Sequence, residues 1–204
     1  MADAVADESF VRRSVRDPNI GYLERTEVKK LLTRIQTDDG DMVVLKLKDH
    51  LVSDINSLVL DEIITALHSN TNCQALYFQN ISRAMKDEQI QKLTELLMKK
   101  PIWCLNLGEN YEVTNAGWVA FCNALPQTMV THVYISEHVI TLDLKNKIRD
   151  NIRANRKKHD KHSNLNNLAV IERCTNMWWN PINGTILSPP VSSCTLLPLV
   201  SSYL

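Results

Sequence analysis

The chain has 204 residues, 44% apolar and 23% charged, with 23 Lys and Arg balancing 23 Asp and Glu, a composition expected of one or two water-soluble folded domains. No apolar run long enough to span a membrane is free of Pro or charge, and the acidic opening Ala2–Phe10 does not read as a secretory leader, so the expectation is a cytoplasmic or nuclear protein with reduced cysteines. The five glycines fall neither in GxGxxG spacing nor before Lys-Ser or Lys-Thr, which excludes both nucleotide-cradling loops.

Residues 1–22 are polar and read as a flexible N-terminal segment. Over 24–36, Val28, Leu31, Leu32 and Ile35 form one apolar stripe with Lys29, Lys30 and Arg34 off it, the pattern of an amphipathic helix that ends in the turn Thr37–Asp41. A repeat follows. The segments 42–50, 73–81, 102–110 and 130–138 each place apolar residues at their first, fourth and sixth positions. These are Met42, Leu45, Leu47; Cys73, Leu76, Phe78; Ile102, Leu105, Leu107; and Val130, Val133, Ile135. Between them lie helical spacings: Leu60, Ile63, Ile64, Leu67; then Ile90, Leu93, Leu97; then Ala120, Phe121, Ala124, Leu125. A short strand followed by a helix therefore recurs, and one such unit cannot bury its own apolar residues without a neighbour.

Leu105-Asn106-Leu107-Gly108-Glu109-Asn110 fits an LxLxxN motif, and Thr114-Asn115-Ala116-Gly117 looks like the turn that enters the following helix. On these residues the chain resembles the leucine-rich repeat family, in its ribonuclease-inhibitor-like class, over about residues 24–158. The resemblance implies an α/β fold: a short right-handed solenoid with parallel strands on a concave face and helices on a convex one. It also implies that the motif asparagine bonds loop backbone between neighbouring units. Only Asn110 keeps that residue, since His50, Ile81 and His138 stand at the other three positions, so the solenoid should be irregular. Residues 23–141 form the expected repeat domain with its N-terminal capping helix.

Leu144, Ile148 and Ile152 recur four apart, and Ser163-Asn164 can cap a further helix bearing Leu165, Leu168 and Ile171, so 142–179 reads as a helical basic C-terminal cap with Trp178 and Trp179 as core plugs. Residues 180–204 are an uncharged Pro- and Ser-containing tail, expected to be disordered.

Strand alternation turns the residues between the inward positions outward. The row Lys46, Tyr77, Asn106, Tyr134, with His132 beside it and Trp103 at its margin, is the candidate partner-binding surface, and the resemblance implies a protein partner. The alternative is a solvated sheet face. Residues 143–162 hold eight basic groups against three Asp. Within them Arg149, Arg153, Arg156, Lys157 and Lys158 suit phosphate contact or nuclear import, or else serve only as the soluble face of a cap. Nucleic acid is thus the rival partner. His159, His162 and Cys174 lack a fourth ligand, so no metal is expected, nor any cofactor, membrane or small-molecule substrate. Cys73, Cys104 and Cys122 sit at inward or strand positions with no catalytic partner, and no enzyme is expected.

Overall fold

The computed structural model describes residues 20–51, 54–136 and 140–159. In chain order they form α1 (Ile20–Leu23), α2 (Thr26–Gln36), β1 (Val44–Lys46), α3 (Leu47–His50), α4 (Ser57–Leu67), β2 (Ala75–Tyr77), α5 (Asp87–Leu97), β3 (Cys104–Asn106), α6 (Asn115–Ala124), a 3-10 turn (Leu125–Gln127), β4 (His132–Tyr134) and α7 (Leu142–His159). The four strands make one parallel sheet in the order β1-β2-β3-β4, so each strand lies beside the next in sequence and a helix intervenes between them.

The register aligns the four repeated segments residue for residue. Val44, Ala75, Cys104 and His132 pair in one row; Leu45, Leu76, Leu105 and Val133 in the next; Lys46, Tyr77, Asn106 and Tyr134 in the third. The middle row faces the helices: Leu45, Leu76 and Leu105 are fully buried, and Val133, on the edge strand, packs against the same core. The strands are much shorter than the nine-residue segments that repeat. After β1 the chain turns directly into α3 at Leu47. In the next two units a left-handed residue, Asn80 at φ 55° and Glu109 at φ 60°, occupies the eighth position and bends the chain off the sheet.

Successive helices pack side by side, α2 on α4, α4 on α5, α5 on α6 and α6 on α7. Their inner faces are Val28, Leu31 and Ile35; Leu60, Ile63, Ile64 and Leu67; Ile90, Leu93 and Leu97; Trp118, Phe121 and Cys122; Leu144, Ile148 and Ile152, all in one continuous core. At about 1.5–3 kcal/mol per large side chain removed from water, this shared interior is the main term opposing chain entropy. In α6 the expected stripe needs correction. Ala120 is exposed and Ala124 half-buried, and Trp118, with no exposed surface, takes the inner face, because burying its larger apolar area gains more than burying an alanine. Leu125 is buried, yet it belongs to the 3-10 turn.

Polar side chains tie each unit to the next. Asn110 is fully buried; its amide donates to the carbonyls of Phe78 (2.8 Å) and Leu107 (3.0 Å), and its oxygen accepts from the Ile81 N–H (3.1 Å). Thr114 caps α6, accepting from the Gly117 N–H at 3.4 Å, and itself donates from backbone and hydroxyl to Asp87, at 2.7 and 2.6 Å. In the helix-to-strand loops, buried Asn70 donates to Ile35 O (3.0 Å) and accepts from Cys73 N (2.8 Å). Buried Asn155, on α7, donates to Leu125 O (2.8 Å) and Val130 O (2.9 Å). The expected helix at 163–171, Trp178, Trp179, the tail and the first nineteen residues lie outside the described residues.

Candidate protein-docking face

The outward rows of the sheet bring Lys46, Tyr77, Asn106 and Tyr134 into adjacent register, with His132 at the head of β4. The Lys46 ammonium lies over the Tyr77 ring, 5.1 Å from its centre. The Cε1–Cδ1 edge of Tyr134 packs against Gly108, where an added Cβ would clash with it; only glycine lets the ring approach so closely. Asn106 is 6% exposed. Its amide donates to Gln79 Oε1 (3.0 Å), its oxygen accepts from Gly108 N (3.0 Å), and Gln79 in turn donates to Glu109 Oε1 (2.9 Å). Asn106 therefore sits below the open surface and fixes the two tyrosines' surroundings. Lys46 and Tyr77, with Lys48, Asp49 and Gln79, line a depression beside β1.

The other outward row is less open than strand alternation predicts. Ala75 and Cys104 are fully buried, covered by Val43, Val44, Tyr77 and Trp103 in a small apolar cluster separate from the main core. Large side chains at the margins fold over the small ones between them. Trp103 stands edge-on to His132, ring centres 5.2 Å apart, and its indole N–H donates to Gln74 Oε1 at 3.3 Å. Val43, Gln74, Trp103 and Thr131 hold the second position of their respective segments. Backbone bonds run from Gln74 N to Val43 O (2.9 Å), from Trp103 N to Gln74 O (3.0 Å) and from Thr131 N to Trp103 O (2.9 Å). Sequence reasoning picked out Trp103 from this row and missed the rest; their shared segment position was the available signal.

The basic helix reaches the same surface. Arg156 on α7 is partly buried, and its Nε donates to Thr131 O at 2.8 Å. Thr131 Oγ1 is hydrogen-bonded to His132 Nδ1 at 2.7 Å. Burial, with the Arg156 charge adding to it, holds the His132 imidazole well below its ordinary pKa, so the ring is neutral at pH 7 even though the residue keeps part of its surface. Burial, and then Arg153, also lower the Arg156 guanidinium. Arg149 and Arg153 precede Arg156 by seven and three residues and so share its side of the helix. Lys157 and Lys158 are exposed on α7. Arg153 makes a 3.7 Å ion pair with Asp150 on a largely exposed surface.

Cys73, Cys104 and Cys122 are buried free thiols, and burial pushes the Cys73 thiol up to about 12, leaving it protonated and unreactive near neutrality. Among the described residues no three His, Cys, Asp or Glu side chains gather to hold a metal ion. No helix among them is long and apolar enough to cross a membrane.

No protein-family model matches the chain, and no curated protein matches it. Thirteen chains of solved structures are similar to it, two of them as follows. A tropomodulin C-terminal domain from Caenorhabditis elegans shares 13% identity over 67% of this chain and 98% of its own, with a TM-score of 0.44. Leiomodin-1 actin-binding site 2 shares 11% identity over 72% of this chain and 96% of its own, with a TM-score of 0.49.

Proposed function

We propose that this chain is a non-enzymatic scaffold, a short irregular leucine-rich-repeat solenoid of the ribonuclease-inhibitor-like class, that binds another protein through the outward face of its sheet. Contacts come from Lys46, Tyr77, Trp103, His132 and Tyr134, with Asn106 as the fixed framework beneath them, and α7 closes the last unit as a cap. The observation that carries this reading is the register, which sets Lys46, Tyr77, Asn106 and Tyr134 side by side. The tyrosines are already held, one by the Lys46 ammonium and the other by Gly108. A pre-positioned aromatic side chain loses little conformational freedom on binding and buries a large area. Cytoplasm or nucleus is the compartment this reading implies.

The test is a Tyr77→Ala/Tyr134→Ala variant of the full chain, immobilised beside wild type and a Lys29→Ala/Lys30→Ala control on the exposed side of α2. Loss of two central aromatic anchors removes about 2 kcal/mol or more of binding free energy, roughly a thirtyfold weakening. Specific partners should therefore disappear from the tyrosine variant and persist with the control. A tyrosine variant with a wild-type melting curve that retains every partner overturns the proposal.

A further inference from the structure

Two features that compete as explanations along the sequence, the aromatic sheet face and the basic helix, are joined in space. Arg156 on α7 bonds Thr131 at the head of β4, Thr131 bonds His132, and His132 packs against Trp103. One continuous strip thus runs from the apolar cover of Ala75 and Cys104, formed by Val43, Val44, Tyr77 and Trp103, onto the α7 side that carries Arg149, Arg153 and Arg156. Charge is distributed unevenly around it: α7 carries seven Lys and Arg against Asp143 and Asp150, the latter paired with Arg153 at 3.7 Å. Asp49 shares the depression beside β1 with Lys46 and Lys48, and Glu109, bonded to Gln79, lies just past the end of β3. Both stand at the end of the sheet where the strands finish. At the head of the strands Arg156 bonds Thr131, and the exposed Arg153 lies one helical turn before it on α7.

We infer that the docking partner is an acidic polypeptide segment, which sets an apolar or aromatic side chain against Trp103 and its carboxylates on Arg149 and Arg153; this rests on the docking reading above. Guanidinium groups pair with carboxylates in a planar, two-point geometry, and the half-buried Arg156 anchors the helix so that its neighbours are presented in a fixed line. Single-stranded nucleic acid fits less well. Sequence-tolerant binding of bases uses open aromatic faces, whereas Lys46 covers one face of Tyr77, Gly108 backs Tyr134, and Trp103 is tied to Gln74 and His132.

The experiment measures fluorescence anisotropy of three labelled probes against the full chain: a Glu-rich peptide with one central Phe, the same peptide with every Glu replaced by Gln, and oligodeoxythymidylate. The Glu peptide should bind saturably and the Gln peptide should not. Arg149→Glu/Arg153→Glu, the first half-buried and the second exposed on α7, should weaken the Glu peptide about tenfold or more, and Trp103→Leu should weaken it several-fold. Equal or tighter binding of oligodeoxythymidylate overturns the inference, as does a folded arginine variant that binds the Glu peptide like wild type. Parallel capture experiments separate the two proposals. If the tyrosine variant loses its partners while the arginine variant keeps them all, sheet docking stands and the acidic partner falls. If both variants keep them all, both proposals fall.

Discussion

Replacing Asn110 with Ala should be among the most damaging single changes in the repeat region. The side chain has no exposed surface and bridges two turns of chain: it donates to Phe78 O and Leu107 O and accepts from Ile81 N at 2.8–3.1 Å. Alanine leaves two carbonyls and one N–H without those bonds in a space that the surrounding core closes to water. Each buried polar group left unsatisfied costs about 1–3 kcal/mol, and the loss is not fully additive because the loops can relax. A total of about 3–5 kcal/mol is expected, a large fraction of the stability of a domain of this size. Urea unfolding followed by far-ultraviolet circular dichroism measures it as a shift in midpoint at unchanged slope. Asn110→Asp sharpens the test. It preserves the shape and the acceptor for Ile81 but replaces the two N–H donors with oxygen facing carbonyls, and should be at least as damaging at pH 7. A loss below about 1 kcal/mol for the alanine variant would refute the view that this asparagine holds neighbouring units together.

Two further outcomes follow from the same contacts. Gly117→Ala would gain up to about 1 kcal/mol of helix propensity in isolation, but the new Cβ would stand 2.5 Å from Asp87 Oδ1 and break the Asp87–Thr114 pair. The single variant should lose stability, whereas in an Asp87→Ala background the same substitution should lose less, because only the 3.0 Å approach to Val113 Cγ1 remains; a double-mutant cycle by urea unfolding reads the difference, and equal effects in both backgrounds would refute the steric argument. Stability should also fall in acid through His132. Its folded pKa lies well below the ordinary 6.5, burial being the main cause and Arg156 the second, so the unfolded chain binds the proton first. The histidine's contribution is fully present above pH 6.5 and drains away as pH falls from there towards the folded value, at up to about 1.4 kcal/mol per pH unit. His50 and His68, lowered chiefly by burial, act in the same direction. Unfolding midpoints of wild type and His132→Gln, taken from pH 8 to pH 5, should diverge below neutrality, with the flatter curve belonging to the variant; parallel curves would refute the assignment.

What could be read from the linear chain was whatever repeats with a fixed spacing. The first, fourth and sixth positions of each segment pick out the rungs of the sheet and their order, because the inward residue of a strand and the inner face of a helix are both set by local periodicity. Asn110 stood out for the same reason. Spacing is silent on size competition between neighbours. It could not show that Trp118 displaces Ala120 from the inner face of α6, or that Trp103 and Tyr77 close over Ala75 and Cys104. Strand length was also hidden: all four strands are three residues long, whether α3 follows, as after β1, or a left-handed residue stands three positions beyond the strand, as with Asn80 and Glu109.

The relation between α7 and the sheet was the least legible feature, and it changes the meaning of the basic segment. By composition alone, a run of arginines and lysines is either a solvated cap or an anion site, and nothing local separates the two. What decides is where the helix is anchored. Asn155 bonds the carbonyls of Leu125 and Val130, and Arg156 bonds that of Thr131, so the helix is pinned by its inner edge to the backbone that leads into β4. A helix held this way cannot turn its arginines to an arbitrary side. Arg156 stays beside Thr131 and His132 for as long as those three carbonyls are satisfied. A partner seated on Trp103 as proposed would therefore also meet the Arg156 charge, and variants at either part should be interpreted together.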